Sequence, residues 1–115
     1  MTRTIITLDI FYKLWKRYGM TDEDLRELEL YLCKNTDAGN IVKNTGGVRK
    51  LRWAIKGKGK SGGIRVIYVD FMVYEKLYLI YVYPKSKKED ISAAEKKEIR
   101  KLVNTLENEL KGAKQ

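Results

Sequence analysis

The sequence predicts an α+β fold in which helices pack against a small antiparallel sheet. Apolar residues recur at helical spacing near both ends of the chain, whereas the middle of the chain contains β-branched and aromatic runs separated by short turns. The 115 residues are enough for one hydrophobic core and too few for two, so we expect a single domain spanning 1–115. The predicted order of elements is β-α-α-β-β-β-α.

The chain is predicted to begin with a strand followed by a helical hairpin. Residues 3–8 are rich in Thr and Ile, and Asp9 can then cap a helix that runs to about Tyr18 and ends at Gly19. Thr21 and the acidic residues after it predict the start of a second helix, which continues to about Lys34. The predicted apolar stripe of this second helix consists of Leu25, Leu28 and Leu32, with Leu30 and Tyr31 from the neighbouring row.

Three strands are predicted after the hairpin, at 48–55, 64–72 and 77–83, with a turn near 74–76. The third strand is β-branched and aromatic almost throughout, which is typical of a central strand buried on both faces. It is expected to end at Pro84, because proline has no N–H to donate to a sheet.

A C-terminal helix is predicted to open at Ser92, which forms a capping box with Glu95. The helix is expected to run to Gly112. Its apolar positions keep a helical spacing and are Ile99, Leu102, Val103, Leu106 and Leu110.

The positive charge of the chain is concentrated in one block, residues 38–69. The net charge is +9; residues before the block hold six basic and seven acidic side chains, the block holds eight basic and no acidic ones, and the rest holds ten basic and eight acidic ones. A block of this kind is typical of a surface that faces a polyanion. Nucleic acid is therefore the expected partner.

The composition argues against several other classes of protein. No apolar run is long enough for a membrane helix, and no signal peptide follows Arg3, so we expect a cytoplasmic protein without membrane contact. The chain has no His and one cysteine, Cys33, so the usual ligands of a structural zinc site are missing and no cofactor is expected. Acid/base chemistry would have to use Lys, Tyr, Asp or Glu.

Strand alternation assigns the basic residues of the block to faces of the sheet. Leu51 and Trp53 share the face expected to pack on the core, so Lys50 and Arg52 are expected side by side on an open face. Arg65 begins an otherwise apolar strand face and needs a partner or a cleft there. Trp53 is interpreted as a core residue rather than a platform for base stacking.

Two further groups of lysines are candidates for RNA contact. The connection 56–63 alternates glycine and lysine, and it does not meet the spacing of a Walker A loop. The lysines of this connection would either bind phosphates or only keep the tip of a hairpin soluble. The lysines after the last strand would either bind RNA or only form a solvent-exposed approach to the helix. The candidates are Lys56, Lys58 and Lys60 in the connection and Lys85, Lys87 and Lys88 after the strand.

The order of elements and three sequence segments resemble toxins of the RelE/ParE superfamily, most closely the HigB-type branch. The segments are G-G-V-R-K-L-R at 46–52, G-I-R-V-I-Y at 63–68 and Y-V-Y-P-K at 81–85. The resemblance covers essentially the whole chain. It implies a RelE-like fold, a ribosome-dependent mRNA endonuclease that acts in the ribosomal A site, and a cognate helix-turn-helix antitoxin that holds it inactive.

The resemblance also implies functional residues. It places catalytic or RNA-binding cations at Lys50, Arg52, Arg65 and Lys85. Many RelE proteins have a functional Tyr and an Arg after the last strand, and this chain has neither there. Lys85, Lys87 or Lys88 would then substitute, and Tyr83 at the end of the strand is a weaker candidate.

The implied reaction is metal-independent attack of an mRNA 2′-hydroxyl on the adjacent phosphodiester, which leaves a 2′,3′-cyclic phosphate and a 5′-hydroxyl. Arg65 would stabilise the charged transition state. Lys50 would be the base, since neighbouring cations favour loss of its proton, and Lys85 the acid. The alternatives are a toxin of the ParE branch that acts on DNA gyrase, a non-catalytic nucleic-acid-binding module, and a structural domain whose basic patch pairs with an acidic protein.

Overall fold

The computed structural model describes residues 2–54, 63–88 and 90–113. Within these ranges the chain forms three α-helices and a five-stranded sheet. None of the described helices has both the length and the apolar character needed to cross a bilayer. In chain order the elements are β1 (Thr4–Thr7), α1 (Asp9–Arg17), α2 (Asp22–Lys34), β2 (Asn40–Ile41), β3 (Arg49–Trp53), β4 (Ile64–Phe71), a 3-10 turn (Met72–Tyr74), β5 (Lys76–Pro84) and α3 (Ala93–Ala113).

The sheet has the strand order β1-β5-β4-β3-β2 and is mixed. The α+β class and the order of the predicted elements are confirmed, but the purely antiparallel sheet is wrong, because β1 pairs with β5 in parallel. Two helices separate β1 from the later strands, so β1 need not follow a hairpin and can join the sheet in either direction. Arg3 helps to fix it there, since its guanidinium donates to both carboxylate oxygens of Asp70 on β4, at 2.7 and 3.1 Å.

The edge strand β2 was not predicted. It has only two residues, both exposed, so the sequence contains no alternation there that would indicate a strand. The predicted turn near 74–76 is the 3-10 turn that ends at Tyr74, followed by Glu75 in a left-handed conformation with φ 55°.

The helical hairpin packs on one face of the sheet, as predicted. Its buried side chains meet those of β3, β4 and β5 in one apolar cluster, which includes Phe11, Trp15, Leu28, Leu32, Leu51, Val66 and Leu79. Two positions of the predicted stripe are wrong: Leu30 is 59% exposed, and Tyr31 is exposed and instead packs on Trp53, with the ring centroids 5.2 Å apart. Trp53 is part of this packing, as the sequence indicated.

The predicted helix starts differ in accuracy. Thr21 and Asp24 form a reciprocal capping box, and Ser92 and Glu95 form another, with both hydrogen bonds present in each. Asp9 is not the cap of α1: Leu8 occupies that position without a side-chain bond, and Asp9 is the first helical residue. An acidic residue there still interacts favourably with the helix dipole.

The opposite face of the sheet is covered by α3. Ile99, Val103 and Leu106 on the helix pack in a second apolar cluster with residues of β4 and β5, among them Ile67, Val69, Tyr78 and Ile80. The strand β5 lies inside the sheet, between β1 and β4, and is therefore buried on both faces, as predicted. Strand alternation places Lys50 and Arg52 on this same face, which is consequently only partly open.

Candidate active site

The pairing of β3 with β4 brings the predicted cations together. Arg52 lies directly opposite Arg65, and Lys50 lies opposite Ile67 on the same face, two residues along β3. Like charges directly opposite one another destabilise a sheet, so Arg52 and Arg65 repel each other here. An anion bound between the two side chains would offset this repulsion. We refer to Lys50, Arg52, Arg65 and Tyr83 as the cationic site.

Arg65 is buried, with 8% of its surface exposed. The sequence placed Arg65 on an otherwise apolar strand face, where a charged side chain needs a partner or a cleft. Tyr83 pairs with it directly across β4 and β5, and the segment after β5 folds back over the same region, with the Lys88 ammonium 5.4 Å from the Tyr83 ring centroid. Among the described residues, the Arg65 guanidinium has only a marginal hydrogen bond, to its neighbour's carbonyl at 3.5 Å. Most of its five donors therefore have no acceptor among the residues that the structure describes.

Tyr83 is fully buried, and its hydroxyl has no hydrogen-bond partner within the described part of the chain. Burial raises the pKa of this hydroxyl, and the charge of Asp90 raises it further, whereas Arg65 and Lys88 oppose the rise. The hydroxyl therefore keeps its proton at neutral pH and is a donor. An unpartnered buried donor is unfavourable for folding, so a ligand that supplies an acceptor would bind favourably here.

Lys88 is engaged with protein groups. Its ammonium donates to the Glu95 carboxylate and to the Tyr81 hydroxyl at 3.2 Å, and it lies 5.2 Å from the Tyr81 ring centroid. Burial lowers the pKa of Lys88, but the bonds to Glu95 and Tyr81 outweigh burial and leave the pKa raised. Lys88 is thus held as a cation over the Tyr81 and Tyr83 rings.

Lys50 also has an acidic partner, since its ammonium lies 3.2 Å from a carboxylate oxygen of Asp90. The same oxygen accepts the N–H of Ile91 at 2.8 Å. That N–H bond is the largest cause of a lowered pKa at Asp90, and Lys50 and Lys96 lower it further. Asp90 therefore stays ionised and holds Lys50 at the edge of the cationic site.

Lys85 and Lys87 lie in the turn after β5, and both are exposed. The backbone N–H of Lys85 donates to the carbonyl of Gly63 at 3.2 Å, and that of Lys87 to Pro84 at 3.0 Å. This turn places Lys85 beside the start of β4, two residues before Arg65. Lys56, Lys58 and Lys60 lie outside the described residues.

Sequence reasoning did not select Asp90, Glu95 or Tyr81 as site residues. Glu95 was recognised only as part of a capping box, yet one of its oxygens accepts the Ser92 N–H while the other accepts Lys88. Asp90 lies 40 residues from Lys50 in the chain, so no local pattern links them. Across the described ranges, no group of three or more His, Cys, Asp or Glu side chains is placed to hold a metal ion.

Comparisons with known proteins identify the family and the fold. Residues 4–113 match the family model described as the RelE toxin of the RelE/RelB toxin-antitoxin system. Among solved structures, a mutant of the E. coli toxin RelE in the free state matches with a TM-score of 0.57 and 16% sequence identity, over 77% of this chain and 90% of that one. This structural similarity supports the RelE-like fold, and the family match covers nearly the whole length. The chain therefore belongs to the RelE toxin family, and it is a toxin of a toxin-antitoxin system.

Proposed function

We propose that the protein is a single-domain, HigB-type member of this family that cleaves translated mRNA in the ribosomal A site and so inhibits translation. The observation that carries the proposal is the row formed by Arg52, Arg65 and Tyr83 across three neighbouring strands. Two of these residues are buried donors with little or no bonding to other described residues. Such preorganised donors favour a species whose negative charge develops during the reaction.

The proposed reaction is metal-independent transesterification. The 2′ oxygen of the mRNA attacks the adjacent phosphorus, the bond from phosphorus to the 5′ oxygen breaks, and a 2′,3′-cyclic phosphate and a 5′-hydroxyl result. The proton of the 2′-hydroxyl goes to a base, and an acid gives a proton to the leaving 5′ oxygen. The non-bridging oxygens gain charge in the transition state, and Arg65 would meet them with two parallel N–H donors.

Lys50 is the proposed base and Lys85 the proposed acid. Lys50 must first leave Asp90 and give up a proton, because only the neutral amine can accept the proton of the 2′-hydroxyl and the Asp90 carboxylate favours the ammonium. Lys85 is tied through its backbone to Gly63, and its exposed side chain can approach a phosphodiester bound near Arg65. The ribosome would supply the orientation of the A-site codon, which the small site cannot supply alone.

The proposed partners follow from this role. They are mRNA and the ribosome, reached in the cytoplasm, and a cognate helix-turn-helix antitoxin. Lys87, Lys88 and the lysines at 56, 58 and 60 are proposed RNA-binding residues. Lys88 would act through its position over Tyr83, since its ammonium is already bonded to Glu95.

The decisive experiment combines purified protein, programmed ribosomes and a defined mRNA, and maps new 5′ ends by primer extension. Ribosome-free reactions and the Arg65→Ala variant are the controls. Ends that require both ribosomes and Arg65 would support the proposal. Binding to ribosomes without any cut would instead favour a non-catalytic binding module, and inhibition of gyrase without cleavage would favour the ParE branch.

A further inference from the structure

A second basic feature lies beside the cationic site. It is a groove of about 220 Å³ between the edge strand β2, β3 and the first turns of α3. We call it the lysine groove; its charged lining residues are Lys43, Lys50, Lys96 and Asp90. Three lysines, from the turn after β2, from β3 and from α3, thus converge on one groove, and Asp90 is the single carboxylate among the described residues that line it.

The carboxylate does not neutralise the groove. Asp90 bonds one lysine, Lys50, and uses the same oxygen to accept the N–H of Ile91. Lys43 is exposed and Lys96 half-buried, and neither is bonded to Asp90. Among the described lining residues, three positive charges and one negative charge give a net charge of +2, which favours a bound anion.

We propose that the lysine groove binds a phosphate of the RNA backbone next to the phosphodiester that is cleaved. This inference rests on the function proposed above. The groove is large enough for a phosphate group, which a cavity sized for a single water would exclude. Lysine ammonium groups bind phosphate as point charges and impose no sequence preference, which suits a backbone contact.

The position of Lys50 connects the two sites. Lys50 lines the groove and also lies two residues from Arg52 on β3, which corresponds to about 6.6 Å along a strand. That distance is of the order of the separation between neighbouring phosphates in a nucleic-acid strand. One strand of RNA can therefore place one phosphate at Arg52 and Arg65 and the next in the lysine groove, with Lys50 released from Asp90 between them.

The test measures how affinity depends on salt. Two probes separate the two sources of phosphate: a short single-stranded RNA with 2′-O-methyl groups, which cannot be cleaved by the proposed reaction, and vacant ribosomes. Affinity is measured from about 50 to 200 mM salt for the wild-type protein, Lys96→Ala and Lys43→Ala. Lys96→Gln is added because it keeps most of the half-buried stem. Lys97→Ala is the matched control, since Lys97 is exposed on the same helix and does not line the groove.

Each groove variant is expected to flatten the slope of log affinity against log salt by about 0.7 for the single strand, while Lys97→Ala leaves the slope near that of the wild type. A flatter slope with the RNA probe supports the inference, whereas a flatter slope with ribosomes alone assigns the groove to ribosomal RNA and overturns it. Slopes for Lys96→Ala, Lys96→Gln and Lys43→Ala that equal the Lys97→Ala slope with both probes would overturn the inference. Primer extension on programmed ribosomes tests the proposed function separately. If the wild-type protein does not cleave mRNA there, the proposed function is refuted, whatever the salt slopes show.

Discussion

Arg65 and Tyr83 face each other directly across β4 and β5, and both are buried. The Tyr83 hydroxyl lacks a partner among the described residues, and the Arg65 guanidinium has only one marginal bond there. Buried donors without acceptors reduce stability, so a core selected for stability alone would not contain them. Their presence together is consistent with a binding site in which two donors reduce the stability of the fold and are positioned to bind a charged ligand.

The first prediction separates stability from activity at Tyr83. Tyr83→Phe should leave the free energy of unfolding unchanged or raise it by about 1 kcal/mol, because it removes a buried hydroxyl that has no partner. Cleavage should fall about tenfold or more, because a donor to the charged phosphate is lost. Urea denaturation and single-turnover cleavage on programmed ribosomes would measure the two effects.

Tyr68→Phe is the matched control for this experiment. The Tyr68 hydroxyl is bonded, lying 2.6 Å from the carbonyl oxygen of Ala38 and 3.0 Å from that of Thr36, and burial raises its pKa to about 12. Its removal should cost about 0.5–1.5 kcal/mol of stability and leave cleavage by the folded protein intact. An equal loss of stability in both variants would contradict the assignment of Tyr83.

The second prediction concerns the planar geometry of Arg65. Arg65→Lys keeps the charge but loses the two parallel donors, so the rate of the chemical step should fall about 100- to 1,000-fold, equivalent to about 2.7–4 kcal/mol. Arg100→Lys, at an exposed position of α3, should leave the rate unchanged. Single-turnover rates at saturating ribosome concentration provide the comparison, and a fully active Arg65→Lys variant would remove Arg65 from the proposed role.

Local patterns in the sequence predicted most of the elements but not how they pair. The capping boxes at Thr21 and Ser92 involve residues three apart, so the sequence shows them directly. The parallel pairing of β1 with β5 joins segments about seventy residues apart, and no local signal encodes it. The two-residue strand β2 is too short to show any alternation.

The same distinction applies to the candidate site. Strand alternation correctly placed Lys50 and Arg52 on one face, because that property depends only on the strand itself. The burial of Arg65 depends on α3 and the segment after β5, and the pairing of Lys50 with Asp90 depends on the same long-range folding. Sequence reasoning therefore found which cations share a surface and missed the acidic groups that hold them.

The third prediction tests how Gly39 positions β3. Gly39 has φ +81°, and a Cβ there would lie 2.3 Å from the carbonyl oxygen of Lys50. Gly39→Ala should therefore destabilise the protein by about 2–4 kcal/mol, because strain adds to a clash with backbone. Gly47→Ala has a similar positive φ of +106° with no atom within 4 Å, and it should cost only about 1–2 kcal/mol. Equal midpoints of thermal unfolding for Gly39→Ala and Gly47→Ala would contradict the close approach of Gly39 to the Lys50 carbonyl oxygen.

The fourth prediction concerns the ion pair between Lys88 and Glu95. Burial alone would raise the pKa of Glu95, but the bonds from Lys88 and from the Ser92 N–H outweigh it and leave the pKa below its ordinary value of 4.5. The unfolded chain therefore binds a proton more readily than the folded one, so this group's stabilisation is present above about pH 4.5 and is lost as the pH falls through the folded-state value.

Glu95→Gln tests this dependence, since an amide oxygen can still accept the Ser92 N–H of the capping box. The variant should be less stable than the wild type at neutral pH, and the difference should shrink towards zero as the pH falls to about 3. Glu98→Gln, at an exposed position one turn along the helix, should show a smaller difference at every pH. A difference for Glu95→Gln that stays constant with pH would show that the ion pair does not stabilise the fold.

The fifth prediction is that Asp90 restrains RNA binding. Asp90→Asn removes the charge that holds Lys50 while its side-chain oxygen can still accept the N–H of Ile91. Because Asp90 is more than half exposed, its pairing with Lys50 corresponds to about 0.2–1 kcal/mol, so affinity for uncleavable RNA should rise by at most about fivefold.

Glu98→Gln is the control, because it changes the net charge equally at a position away from Lys50, where Glu98 pairs with Lys101. If both variants raise the affinity equally, net charge alone explains the gain. If only Asp90→Asn raises the affinity, the ion pair with Asp90 restrains Lys50, as the proposed phosphate contact in the lysine groove requires.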